Sequence, residues 1–157
     1  MAIKIEKSFR VDVPIERTWA FLTKPENMVA CLPGATLTEL IDERSFKGKI
    51  AFKVGPIEAR YEGEAHFEEL DEANYRMRMV GKGVGDGSAS LVMSGQLRAL
   101  ADGGTETSIV AEVDLTGRLA QMGSRLIQFA SSQMFDQFVK RVREQLRTQG
   151  TEGTAVG

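Results

Sequence analysis

The chain has 157 residues, a formal net charge of -2 and a single cysteine. A chain of this length is typical of one domain that buries roughly 70% of its unfolded surface, and the low net charge without a basic stripe argues against nucleic-acid binding. Cys31 has no partner for an internal disulfide, the N-terminus lacks a signal-peptide core, and no run reaches the about 18 apolar residues of a membrane span, so we expect a cytoplasmic protein.

The N-terminal segment predicts one strand followed by two short helices. Residues 3–13 alternate between apolar and polar positions, which is typical of a half-buried strand. Residues 14–24 and 25–32 each begin with a proline, which suits the first turn of a helix. Pro33-Gly34 must end the second helix, because proline lacks the backbone donor and glycine tolerates positive φ.

The middle of the chain predicts six more strands, each bounded by a turn signal. Turns spaced this closely form hairpins, so we expect an antiparallel meander. The strands are predicted at residues 36–41, 45–54, 57–68, 75–79, 89–99 and 109–115.

The C-terminal part predicts one long amphipathic helix, Leu119–Arg147. Apolar or small residues recur in it every three or four positions: Leu119, Met122, Leu126, Ala130, Met134, Phe138, Val142 and Leu146. Such a helix is roughly 42 Å long and needs an apolar surface to lie on, which a curved sheet would provide. We predict a single domain over residues 1–148 and a disordered polar tail over residues 149–157.

Several short blocks of sequence resemble the CoxG family of carbon monoxide dehydrogenase subunits, which is part of the START/Bet v 1-like (SRPBCC) superfamily. These blocks are ACLPGA (30–35), KVGPI (53–57), YEGEA (61–65), GKG (81–83), GSA (87–89) and GRLAQMG (117–123). The resemblance implies an α+β helix-grip fold, in which a bent antiparallel seven-stranded sheet surrounds a long C-terminal helix in β-α-α-β6-α order. It also implies an apolar cavity between the sheet and the helix.

The family resemblance implies a non-catalytic accessory role. The expected partners are a lipophilic, quinone-like molecule, a molybdenum hydroxylase such as carbon monoxide dehydrogenase, and the inner face of the membrane, at which the protein would act peripherally. Some members carry an apolar C-terminal anchor, whereas residues 148–157 of this chain are short and polar. Two alternatives stay open: an adaptor that recruits a partner enzyme to the membrane, and a cyclase or hydrolase of the same fold.

We expect the space between sheet and helix to hold a ligand, because a bent sheet and one helix leave a gap that side chains or a ligand must fill. Methionines are frequent on the predicted inner faces, and their flexible thioethers adapt to irregular apolar shapes. Tyr61 would hold the polar end of the ligand. No cofactor is predicted beyond a bound quinone or other lipophilic molecule. The predicted ligand-binding residues are Phe46, Phe52, Tyr61, Met77, Met79, Leu91, Met93, Met122, Leu126 and Phe129.

The segment GKGVGDG, residues 81–87, is rich in glycine but does not predict a nucleotide site. It lacks the lysine followed by Ser or Thr of a phosphate loop, and no helix follows it. We interpret it as a wide hairpin loop that is either an ordinary turn or a gate to the cavity, with Gly81, Gly83, Gly85 and Gly87 as its mobile positions. Gly123, inside the predicted helix, indicates either a hinge or close packing against the sheet.

The remaining candidates have ordinary structural interpretations. His66 lies on the polar face of its strand, and Cys31 has no neighbouring base that would make it a nucleophile. The predicted inner faces offer few acids or bases, so no catalytic residue and no metal site are predicted. The basic cluster, defined as Lys140, Arg141, Arg143 and Arg147, would complement the helix dipole or form a patch for anionic lipid or a partner protein.

Overall fold

A computed structural model describes the backbone of residues 1–156 and the side chains of residues 1–148. The predicted order of elements is confirmed. The elements are β1 (Ala2–Val11), α1 (Ile15–Leu22), α2 (Pro25–Cys31), β2 (Ala35–Leu40), β3 (Ser45–Val54), β4 (Ile57–Asp71), β5 (Arg76–Gly85), β6 (Gly87–Ala99), β7 (Thr105–Leu115), a short 3-10 helix (Leu119–Met122) and α3 (Ser124–Val156).

The strands form one antiparallel sheet in the order β1-β7-β6-β5-β4-β3-β2. Consecutive strands from β2 to β7 pair as hairpins, and β1 pairs along its whole length with β7, from Ala2 opposite Asp114 to Val11 opposite Thr105. The register shifts between Phe67 and Glu69 in β4, which is a bulge of the kind that bends a strand. The inner face of the sheet is covered by the helices.

The long helix begins at Ser124 and not at Leu119, so its predicted start is wrong. Gly123 has a φ of +90° and separates the 3-10 turn from α3. A Cβ placed on Gly123 would meet no atom within 4 Å, so close packing does not explain the glycine. Its backbone angle does, because residues with a Cβ rarely adopt it. The predicted disorder of residues 149–157 stays a prediction, because the side chains of these residues lie outside the described part of the chain.

The apolar side chains form two clusters. In the first, Trp19 of α1 and Phe138 and Val142 of α3 pack against β1, β5 and β6. In the second, Val54, Leu119 and Ile127 pack where β3 and β7 end and α3 begins. The apolar stripe predicted for α3 is confirmed, since its buried residues recur at helical spacing: Ile127, Ala130, Phe138, Val139, Val142 and Leu146.

Candidate functional site: an apolar cavity under the C-terminal helix

A cavity of about 450 Å³ lies between the inner face of the sheet, α2 and α3. Its volume falls within the range of roughly 300–1,000 Å³ that is typical of small-molecule sites. The lining is almost entirely apolar, with inward side chains such as Ile50, Leu91 and Val113. The arrangement is suited to an apolar guest.

Glycines create the floor of this cavity. Gly48 of β3 pairs with Gly63 of β4, Gly63 pairs with Gly83 of β5, and Gly83 pairs with Ala89 of β6. These four residues, which we call the small-residue row, cross four neighbouring strands at one level of the sheet and all line the cavity. Because none carries more than a methyl group, the sheet leaves open space where other rows fill it with Phe, Met or Leu.

The roof is the apolar face of α3. Ile127, Ala130, Ser131, Met134 and Phe138 line the cavity, and because each is three or four residues from another member of the set, they share one side of the helix. Helix α2 closes a further side with Met28 and Val29, and Leu22 lies beside them at the end of α1.

Most of the predicted ligand-binding residues do line the cavity, although contact with a ligand stays a prediction for each. The residues found in the lining are Phe46, Phe52, Tyr61, Met77, Met79, Leu91 and Met93.

Three predicted residues near the start of α3 lie outside the lining, and their assignment to it is wrong. Met122 and Leu126 face the turn between β3 and β4, where a Cβ on Gly55 would come within 3.3 Å of the Leu126 Cδ2 atom. Phe129 is 61% exposed. A helix turns about 100° per residue, so Phe129 points away from the face that carries Ile127. The residues of α3 that line the cavity lie between Ile127 and Phe138.

The predicted wide glycine loop is also wrong. Gly81, Gly83 and Gly85 belong to β5 and Gly87 begins β6, so only Asp86 lies between the strands. The backbone N–H of Asp86 donates to the Arg60 carbonyl at 3.3 Å, and its carboxylate lies 3.6 Å from the Arg118 guanidinium. The turn is therefore tied to β4 and to the segment before the 3-10 helix. A gating role for these glycines stays a prediction.

Two hydroxyl groups in the cavity wall have no hydrogen-bond partner among the described residues. Tyr61 on β4 and Thr107 on β7 both line the cavity, and both hydroxyl oxygens are buried. The Tyr61 ring stacks on Phe52 with ring centroids 6.2 Å apart, which fixes its orientation. Burial, and secondarily the charge of Asp86, raises the pKa of Tyr61 above its ordinary value, so the phenol stays protonated and able to donate. Unpaired buried hydroxyls are uncommon because each forfeits a hydrogen bond to water.

Lys7 is a cavity residue that the sequence interpretation missed. It occupies an inward position of β1 between Ile5 and Phe9, is half-buried, and lines the cavity. Its ammonium group forms no hydrogen bond or ion pair with any residue whose side chain is described. The signal was present in the sequence, because strict alternation from Ile3 to Val11 places residue 7 on the inner face.

Cys31 and His66 have the ordinary environments that were expected. Cys31 is fully buried, and loss of solvation raises the pKa of its thiol, which disfavours the nucleophilic thiolate. His66 is exposed on the outer face of β4. Within the described residues no group of three or more His, Cys, Asp or Glu side chains could hold a metal ion.

The basic cluster lies on the last turns of α3 whose side chains are described, and its two predicted roles, with the helix dipole or as a patch for lipid or a partner, stay predictions. Helix α3 continues to Val156, beyond all four residues. Arg143 donates from Nε to the Arg10 carbonyl at 3.0 Å and thereby ties α3 to β1. Lys140, Arg141 and Arg147 are exposed. In the part of the chain that is described, no helix combines the length and apolarity that a membrane crossing requires.

Comparison with known proteins identifies relatives of this chain. A family model described as the CoxG subunit of carbon monoxide dehydrogenase matches residues 8–147. A search of curated proteins finds no match. Among solved structures, a conserved protein from Geobacillus kaustophilus superposes with a TM-score of 0.84 at 18% identity, covering 93% of this chain and 96% of the other.

Two further structures show the same architecture. The Zhui aromatase/cyclase from Streptomyces sp. R1128 has a TM-score of 0.67 at 9% identity, with 94% of each chain covered. Ara h 8.0201 has a TM-score of 0.63 at 14% identity, covering 94% of this chain and 99% of that one. At these identities the likeness shows the fold alone, which is the Bet v 1-like helix-grip fold that the sequence predicted.

Proposed function

The chain belongs to the CoxG family of carbon monoxide dehydrogenase subunits, and we propose that it is a non-catalytic accessory protein that binds a lipophilic, quinone-like molecule in the cavity under α3. The observation that carries this proposal is the apolar cavity of about 450 Å³ under α3, whose floor is the small-residue row. Apolar space of this size costs stability when it is empty, because the lining atoms lose their contacts. A resident guest would restore those contacts.

We propose that the guest lies along the inner face of the sheet, in contact with Phe46, Phe52 and Met93 and covered by Met134 of α3. In this proposal the Tyr61 hydroxyl donates to an acceptor oxygen such as a quinone carbonyl. Tyr61 has no partner to lose among the described residues, so such a hydrogen bond would be a net gain.

An enzyme of the cyclase type would need titratable groups that converge on one substrate atom. At the inward positions of the described strands that line the cavity, the titratable side chains are Lys7 and Tyr61. Lys7 stands at the level of Met77 and Gly95, whereas Tyr61 stands beside Ile50, on the far side of the small-residue row. The separation favours a binding protein over a catalyst.

In the cell we propose that the protein carries its guest between the membrane and a molybdenum hydroxylase such as carbon monoxide dehydrogenase. Lys140, Arg141, Arg143 and Arg147 are all exposed, and they are the charges that could meet anionic lipid or a partner surface. This part of the proposal rests on family membership and on those exposed charges.

The test of the cavity proposal is extraction of natively purified protein with organic solvent followed by mass spectrometry, together with titration of the stripped protein with menadione and a longer-chain menaquinone. We expect a lipophilic compound in the extract and a rise in melting temperature with added quinone. A ligand-free extract combined with no shift at saturating quinone would contradict the proposal. Delivery is tested by transfer of quinone from vesicles to the purified hydroxylase, which should be faster when the protein is present.

A further inference from the structure

The second polar end of the cavity lies at the pairing of β1 and β7. Lys7 is directly opposite Ile109, and Thr107 is the next inward residue of β7, opposite Phe9. Residues in this diagonal relation have Cβ atoms roughly 7 Å apart, within reach of a lysine side chain. An ammonium group and a hydroxyl group therefore border the same corner of an apolar cavity.

Neither group is satisfied by the described part of the protein. Thr107 is 1% exposed and its Oγ1 atom has no partner there, while Lys7 lacks a carboxylate partner among the same residues. The other charged residues bordering the cavity, Lys49, Glu64 and Lys82, occupy outward positions in their strands and are exposed. Of the described lining residues at inward positions, Lys7 is thus the sole charged one, and its charge has no counterion inside.

We propose that Lys7 and Thr107 bind a polar head group at the opposite end of the cavity ligand from the acceptor oxygen that Tyr61 would bind, and that this head group carries negative charge, as a carboxylate does. The inference rests on the proposed lipophilic-ligand function and adds to it the chemical class of the polar end. An anionic oxygen would receive a charge-assisted hydrogen bond from the Lys7 ammonium and a second hydrogen bond from the Thr107 hydroxyl. A protonated amine would meet the Lys7 charge in an apolar setting and be rejected.

The position of Lys7 and Thr107 sets the orientation of the ligand in the cavity. Phe135 of α3 packs edge-on to Phe9, the residue opposite Thr107, with ring centroids 5.9 Å apart, so apolar rings border this corner beyond Thr107. The head group would therefore lie at the half-buried Lys7, and the apolar body would extend over the small-residue row toward Tyr61.

The experiment compares dodecanoate, dodecanol and dodecylamine, which share one tail and differ in the head group. Each displaces the uncharged fluorophore N-phenyl-1-naphthylamine from the full-length protein below its micellar concentration. We expect dodecanoate to bind about tenfold more tightly than dodecanol and dodecylamine to bind most weakly, since hydrogen bonds to charged groups are the strong class.

The variant K7M should bring dodecanoate and dodecanol to within about twofold of each other, while K7R should retain the preference. T107V should weaken dodecanoate about threefold with little effect on dodecanol. The matched control is K4M, which removes the same charge from the outer face of the same strand, where Lys4 lies 3.2 Å from Glu6. It should leave the order of the three ligands unchanged.

The outcomes separate the two proposals. If all three compounds bind and K7M does not change their order, the head-group inference is overturned and the lipophilic cavity stands. If none of the three compounds and no quinone binds, the proposed function fails and the inference fails with it. An equal loss of preference in K4M and K7M would assign the effect to net charge and would also overturn the inference.

Discussion

Gly63 and Gly83 stand opposite each other on β4 and β5, and both leave the inner face of the sheet bare at the centre of the cavity. A Cβ on Gly63 would lie 1.9 Å from the Lys82 carbonyl oxygen, so the close approach of the strands requires a glycine there. At Gly83 the nearest atom to an added Cβ is the Cβ of Tyr61 at 3.5 Å, an ordinary contact. The backbone therefore requires a glycine at position 63, whereas position 83 can accept a larger side chain.

Filling the cavity from its floor should abolish ligand binding without unfolding the protein. We expect Gly83→Leu to weaken N-phenyl-1-naphthylamine and menadione at least about tenfold, because the new side chain occupies the space of the guest. The free energy of unfolding of the ligand-free protein should stay the same or rise, because the leucine side chain buries apolar area and a glycine is removed from the strand. The control is Val84→Leu at the next residue, which is 68% exposed on the outer face. Retention of full binding by Gly83→Leu would contradict the assignment of the floor.

Two threonines on β7 should respond oppositely to loss of the hydroxyl group. Thr105 donates from Oγ1 to the Val13 carbonyl at 2.7 Å, whereas the Thr107 hydroxyl has no partner among the described residues. We expect Thr105→Val to lower the free energy of unfolding by about 1–3 kcal/mol and Thr107→Val to leave it unchanged or raise it by about 1 kcal/mol in ligand-free protein. Urea titrations of both variants provide the measurement. Equal destabilisation by the two would mean that Thr107 is paired in solution.

The start of α3 should depend on the backbone of Gly123. We expect Gly123→Ala to lower the free energy of unfolding by about 1–3 kcal/mol, because alanine is strained at a φ of +90°. Nothing described lies within 4 Å of the added Cβ, so steric contact does not contribute. Thermal unfolding with Gln121→Ala, an exposed residue of the 3-10 helix, provides the comparison. A stabilised Gly123→Ala protein would indicate a continuous helix from Leu119.

The two faces of α3 should differ in their tolerance of truncation. Ile127 is 5% exposed and lines the cavity, and Phe129 is 61% exposed. We expect Ile127→Ala to cost about 2–5 kcal/mol of unfolding free energy and Phe129→Ala to change it by no more than about 0.5 kcal/mol. Ligand affinity should likewise be unaffected by Phe129→Ala. Reduced quinone binding by Phe129→Ala would show that Phe129 does contribute to the ligand site.

The buried thiol gives a prediction for pH. Burial raises the pKa of Cys31 in the folded state, with Arg141 partly opposing the rise, so the folded protein holds the thiol proton more tightly than the unfolded chain. The stability that this supplies is full below the ordinary cysteine pKa of about 8.5 and is lost as pH rises through the folded-state value. We expect the free energy of unfolding to fall between about pH 8 and about pH 10 with a steeper slope in the parent protein than in Cys31→Ala.

The same burial should protect the thiol from reagents. At about pH 8.5 the reaction of Cys31 with Ellman's reagent should be at least about a hundredfold slower in folded protein than in urea, because the thiolate is both scarce and inaccessible. Rapid labelling of the folded protein would show that α2 opens readily.

Much of the fold was determined by the sequence, because alternation and turn residues are local signals. The period-two patterns of β1 and β4 and the turn at Gly55-Pro56 predicted the strands and their antiparallel order. The apolar stripe from Ile127 to Leu146 predicted which face of α3 is buried. Family membership followed from short blocks spread along the same segments.

The tertiary structure alone decided where open space lies. Read from the sequence alone, a glycine of the small-residue row does not reveal which residues lie beside it in the sheet. Only the register of the strands shows that Gly48, Gly63 and Gly83 stand side by side and form a floor. The start of α3 at Ser124 depends on the break at Gly123, a backbone angle that residue type permits but does not require. Lys7 was readable from alternation, yet its unpaired state depends on what surrounds the β1–β7 corner, because burial and partners are properties of the packed molecule.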